Sequence, residues 1–108
     1  MIDDSYPKLR SINGSAVVPK TSFNEVFNRI LAHKGETFHT ITGLPFTYEI
    51  RGNIFYPSRT HYQISRSDFE KAYDMVPIKG PGIINDIVRG PTYIWAVLHD
   101  QRISLGEW

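Results

Sequence analysis

The feature that most constrains this chain is a change of hydrophobic period at Gly35. Upstream, in "TSFNEVFNRILAHKG", Phe23, Val26, Phe27, Ile30 and Leu31 recur at i, i+3, i+4, i+7 and i+8. That spacing lays one apolar stripe along a helix. Ser22 and Glu25 stand at capping-box distance, so the serine oxygen can accept from the Glu25 amide. His33 and Lys34 suit the negative C-terminal end of the helix, and Gly35 can take the left-handed conformation that closes it.

Downstream the period falls to 2. "ETFHTIT", "PFTYEIR" and "NIFYPSRTHYQIS" are rich in Thr, Tyr, Phe and Ile and read as strands. Gly52-Asn53 is a tight hairpin signal, with glycine placed where a type II′ turn needs positive φ. That loop pairs Arg51 with Ile54 and Ile50 with Phe55. Tyr48, Ile50 and Phe55 then share one face, and Glu49, Arg51, Ile54 and Tyr56 the other. Pro57 withdraws a ladder donor, so a kink or an edge is expected there, with Thr60 to Ile64 resuming as a third strand or as the second half of a bent one.

Helical spacing returns at Phe69, Ala72, Tyr73 and Val76, with Ser67 and Glu70 as a second capping box and Pro77 as the stop. "IINDIV" reads as a short buried helix. In Thr92–His99 composition permits a strand, but Pro91 in front and His99 behind favour a short core helix. Residues 1–20 carry Pro7, Gly14 and Pro19 with little periodicity. They are expected to form an N-terminal arm with at most one short strand at Ala16–Val18. The expected fold is therefore α+β: a helix, an antiparallel meander of about three strands, then two or three short helices on one sheet face. Residues 21–108 form its single domain. At 108 residues the chain can bury roughly 60–70% of its unfolded surface, enough for one core.

Composition removes several function classes. There is no cysteine, so disulfides, thiolate zinc sites and thiol nucleophiles are excluded, and a reducing compartment fits. "MIDDSYPKLR" has no apolar segment of a secretory signal, and Tyr93–Leu98 is too short to span a bilayer. A cytoplasmic protein without a membrane partner is expected. His33, His39, His61 and His99 share no metal-ligand spacing, so neither a metal nor another cofactor is expected. No serine sits in a nucleophile-elbow context for Asp86, Asp100 or His99 to serve. Gly80-Pro81-Gly82 precedes a helix signal but lacks the phosphate-loop lysine pattern.

What remains centres on residues 51 to 66, which hold Arg51, Arg59 and Arg66 with no acid before Asp68. Phe55, Tyr56 and Tyr62 are interleaved. Arginines fork onto phosphates while aromatic faces stack on bases. Arg51, Arg59 and Arg66 are thus candidate phosphate contacts, Tyr56 and Tyr62 candidate stacking faces, and His61 a pH-tuned contact. Single strands fit that logic, and so does a strand ribbon or helix in a major groove. Backbone amides at the Arg66–Asp68 helix start add a possible anion contact. The same residues also suit the ordinary wet face of an antiparallel sheet, and the net charge of +1 gives no global pull on a polyanion.

Two further classes fit. His39 and His61 on neighbouring strands, with Arg59 beside them, could run metal-free phosphodiester chemistry as base, acid and charge stabiliser. Alternatively the chain is a protein-interaction or homo-oligomerising domain: Leu105 and Trp108 in the tail could close the core or seat a second copy as a homodimer, and a strand edge near Pro57 or the N-terminal arm could pair with a partner.

Overall fold

In the computed structural model, which describes residues 20–108, helix α1 spans Phe23–Ala32 and is followed by two small antiparallel sheets. The expected arm over residues 1–20, with its strand at 16–18, lies outside the described residues apart from Lys20. Ser22 is the N-cap of α1, its Oγ accepting from the Glu25 amide at 3.2 Å. Glu25 does not return the contact; its carboxylate turns to Arg29 at 3.4 Å. Val26, Phe27 and Ile30 are buried, and Gly35 closes the segment at φ +84°.

The strand region divides in two. β1 (Phe38–His39) pairs with β2 (Pro45–Phe46), and β3 (Tyr48–Arg51), β4 (Ile54–Pro57) and β5 (Ile64–Ser65) form a second sheet in that order. The hairpin register pairs Arg51 with Ile54 and Ile50 with Phe55, as the Gly52-Asn53 loop requires. Gly52 sits at φ +61°, whereas Asn53 is not in the left-handed region. Tyr48, Ile50 and Phe55 are buried; Glu49 and Arg51 are exposed and Ile54 and Tyr56 half-buried.

The third strand is shorter than its composition suggests. β5 holds only Ile64 and Ser65, paired with Phe55 and Ile54. Pro57 ends β4, and Ser58 ties the chain off: its amide donates to the Thr47 carbonyl at 2.9 Å and its Oγ accepts from the Thr47 amide. Residues 58–63 therefore run as a loop. Arg59, His61 and Tyr62 stand on that loop and not on a strand.

Helix α2 (Arg66–Tyr73) starts two residues earlier than its Ser-x-x-Glu pattern predicts. Ser65 leaves β5 with extended backbone and accepts from the Asp68 amide at 3.2 Å, so Ser65 and not Ser67 is the cap. Ser67 is already helical. A single 3₁₀ turn over Pro81–Ile84 replaces the helix expected in "IINDIV". Helix α3 (Pro91–Leu98) has proline in its first turn as expected, and α4 (Gln101–Ser104) follows Asp100, which caps it.

An aromatic relay joins sheet and helices. Phe38 lies 5.3 Å from Tyr48, Tyr48 stacks on Phe55 at 4.5 Å, and Phe55 meets Phe69 of α2 at 4.8 Å. The buried Tyr48 hydroxyl donates to the Ile30 carbonyl at 2.6 Å, satisfying a polar atom that burial would otherwise penalise. Trp108 closes the other end. Its indole donates to the Leu98 carbonyl at 2.8 Å and its ring meets Tyr73 edge-on, while Leu105 stays exposed. The result is one compact α+β domain.

Candidate functional site

Each candidate arginine of the strand region has a different environment. Arg51, at the end of β3, is exposed and lies 4.6 Å over the Tyr56 ring on the outer face of the hairpin. Glu49 shares that face, directly across from Tyr56. Arg59 reaches back to donate to the Pro45 carbonyl at 3.1 Å. Arg66 is half-buried: it donates to Asn24 of α1 and lies 4.7 Å over the Phe27 ring. Its guanidinium braces α2 against α1. Two amides at the start of α2 are also occupied, Arg66 donating to the Asn53 carbonyl and Asp68 to Ser65.

The loop supplies a more defined arrangement. His61, Tyr62 and Gln63 line an open cleft of about 370 Å³, and its fourth wall is Arg89. The Arg89 guanidinium lies 5.5 Å over the Tyr62 ring. Its own amide donates to Asp68 Oδ2 at 3.1 Å, which pins residue 89 to the first turn of α2. Gly90 follows at φ +66° and is buried. A Cβ there would come 2.4 Å from Ile64 Cδ1 and 3.3 Å from Tyr62 Cε1. Only glycine lets the backbone of this strap approach the loop so closely. Arg89 and Gln63 escaped the reading of the sequence; the one available signal was a cation immediately before the Gly90-Pro91 helix start.

His39 lies on β1, in the other sheet, and is exposed. Arg59 bonds the Pro45 carbonyl, and Pro45 is the cross-strand partner of His39. Among the described residues, no hydrogen bond joins His39, His61 and Arg59. Among the described residues, no group of three or more His, Cys, Asp or Glu could hold a metal ion, and no helix is long and apolar enough to cross a membrane.

Displaced pKa values fall on groups spread over the fold, from Tyr48 on β3 and Tyr73 on α2 to His99, Asp100 and Arg102 around α4. Arg102 donates to Asp100 through Nε and Nη2 at 2.8 and 2.9 Å, to Glu36 at 3.0 Å and to the Thr37 carbonyl at 2.8 Å. Its guanidinium lies 3.8 Å over the Phe38 ring. The Asp100 carboxyl is held below its ordinary range chiefly by that hydrogen bonding to Arg102. Arg29 likewise grips Glu107 through two nitrogens and donates to the Ile103 carbonyl.

His99 is locked from both sides. A backbone amide only donates and a carbonyl only accepts. Nε2 therefore accepts from Ile78 N–H at 3.0 Å, and Nδ1–H donates to the Trp95 carbonyl at 3.1 Å. The ring is neutral in this tautomer, and burial pushes its pKa down.

No protein-family model, curated protein or solved structure significantly matches the chain.

Proposed function

We propose that this domain is a non-enzymatic binding module for nucleic acid, working through the β3–β4 hairpin and the loop that follows it. The division of the arginines carries this reading. Arg29 ion-pairs with Glu25 and Glu107, and Arg102 with Asp100 and Glu36. Among the described residues, Arg51, Arg59, Arg66 and Arg89 form no ion pair with a carboxylate. A chain of net charge +1 thereby gathers a local positive surplus around the hairpin, and it is local potential that attracts a polyanion. Two of these arginines, Arg51 and Arg89, lie over tyrosine rings. A forked cation beside an aromatic face suits a ligand made of phosphates and bases. The lack of cysteine fits work in the cytoplasm.

A second reading is self-association, favoured by the exposed apolar side chains Ile41, Leu44, Ile83 and Leu105; sedimentation at increasing concentration detects it as mass above the monomer. The nucleic-acid reading is tested by fluorescence anisotropy of labelled oligonucleotides at low and moderate salt. The logarithm of the affinity is expected to fall linearly with log salt, and Arg51→Ala/Arg89→Ala to lower that slope by about 2, roughly one per phosphate contact. Absence of salt-sensitive binding at low ionic strength sinks the proposal.

A further inference from the structure

We infer that the cleft of His61, Tyr62, Gln63 and Arg89 seats one unpaired nucleotide, so that the domain prefers single-stranded to duplex nucleic acid; this rests on the nucleic-acid reading above. Size is the first argument. About 370 Å³ falls at the low end of the roughly 300–1,000 Å³ of small-ligand clefts. That is room for one nucleotide.

The lining groups are the second argument. Tyr62 supplies an aromatic face, on which any base can stack. Gln63 carries both a donor and an acceptor, matching the mixed edge of a base. Arg89 supplies the fork that phosphate oxygens fill. Its guanidinium sits at the far end of the cation–π range of about 6 Å from the ring centroid, so it is loosely held and can swing to a phosphate. His61, exposed at the same cleft, adds a polar ring nitrogen.

Construction is the third. The two walls are fixed to each other before any ligand arrives: Asp68 holds the Arg89 amide, and Gly90 brings the strap against Ile64 and Tyr62. Asp68 touches this strap, but its carboxylate is already turned to that amide and, at 3.8 Å, to Lys71. A site whose geometry is set by folding loses less on binding than one that must be ordered. In a duplex each base face is covered by its neighbours, so filling this cleft would require flipping a nucleotide out, at the cost of unstacking and unpairing it.

The test uses the full chain and three labelled probes of one length: a single strand, its duplex, and a single strand of abasic sites that keeps the phosphates. The single strand is expected to bind roughly five-fold or more tightly than either other probe, the effect of one stacked base. Tyr62→Ala should erase that preference, Tyr62→Phe should retain it, and Arg51→Ala should weaken all three probes alike. If all three probes bind equally and with the same salt dependence, the cleft inference is overturned while the nucleic-acid reading stands. If none binds, both fall. Circular dichroism of each variant separates loss of the site from loss of the fold.

Discussion

Arg102 and Arg51 both lie over aromatic rings, yet their surroundings are opposite. Arg102 sits 3.8 Å above Phe38, bonded to two carboxylates and a carbonyl, and so ties the start of α4 to the segment before β1. Arg51 sits 4.6 Å above Tyr56 on an exposed hairpin face, with no acid bonded to it among the described residues. The first is spent on folding: remove it and Asp100 and Glu36 lose their shared partner. The second leaves its charge available to something outside the molecule. Arg29 repeats the first pattern across α1 and the tail, and Arg89 repeats the second beside the cleft. Two uses of one residue type thus separate a structural end of the fold from the face proposed to bind.

The largest effect should come from breaking the structural end. Arg102→Ala removes charge-assisted hydrogen bonds, which contribute on the order of 1.5–3 kcal/mol when well shielded. The Arg102 side chain is one-third exposed, so solvent screening reduces that figure, and a loss of about 1–2 kcal/mol is expected. For a domain of this size that is a fall in Tm of roughly 4–8 °C per kcal/mol, read by thermal denaturation. An unchanged Tm would show that the ion-pair network is ornamental and dissolve the contrast.

The histidines allow the same comparison to be sharpened by pH. His99 has both ring nitrogens bonded to backbone, whereas His61 is exposed at the cleft. Burial lowers the native pKa of His99 below the value near 6.5 of an unfolded histidine. The unfolded chain therefore takes the proton first. The stabilising contribution is complete above about pH 6.5 and is lost as pH falls through the native pKa of the ring. Protonation also forces Nε2 to give up the Ile78 amide. Denaturant unfolding between pH 7 and 5 should show stability declining over that interval, and His99→Gln should flatten the decline. This window lies above that of Asp100, whose carboxyl is held low by Arg102, so the two contributions separate on the pH axis. A slope unaffected by His99→Gln would mean that the ring does not hold the Ile78 segment.

Much of this fold was legible because its signals are local. The α1 stripe, the Ser22 cap and the Gly52-Asn53 register depend on neighbours a few residues away, and so does Pro91 at the start of α3. The misjudged elements turned on competition between local signals. Ser65 and Ser67 both precede an acid at usable spacing, and which one caps α2 is decided by where β5 ends. The strand expected over Thr60–Ile64 is confined to Ile64–Ser65 because Pro57 and Ser58 end the ladder first, leaving β-favouring residues in a loop. The candidate site was only half visible for a different reason. His61 and Tyr62 stand together in sequence, but Arg89 reaches them from 27 positions away, through a glycine whose requirement is set by Ile64. Likewise, nothing local distinguishes Arg66, which braces α2 on Phe27 and Asn24, from Arg51, which does not brace a helix.

The smallest effect expected on the fold is also the most informative for the contrast. Arg51→Ala removes an exposed guanidinium whose described contact is one ring face, and an exposed cation–π contact contributes about 0.5–1 kcal/mol at most. Some of that is offset by the rotamer freedom the side chain regains, so stability should change by no more than about 0.5 kcal/mol, as for an ordinary surface position. Binding of an oligonucleotide at low salt should nevertheless weaken measurably, because each phosphate contact adds to the salt-dependent part of affinity. The diagnostic is therefore a pair of numbers for each arginine, a change in unfolding free energy and a change in affinity. Arg102→Ala should move the first far more than the second, and Arg51→Ala the second far more than the first. If Arg51→Ala costs as much stability as Arg102→Ala and leaves binding untouched, its place over Tyr56 is a packing contact, and the hairpin face is the wet side of a sheet.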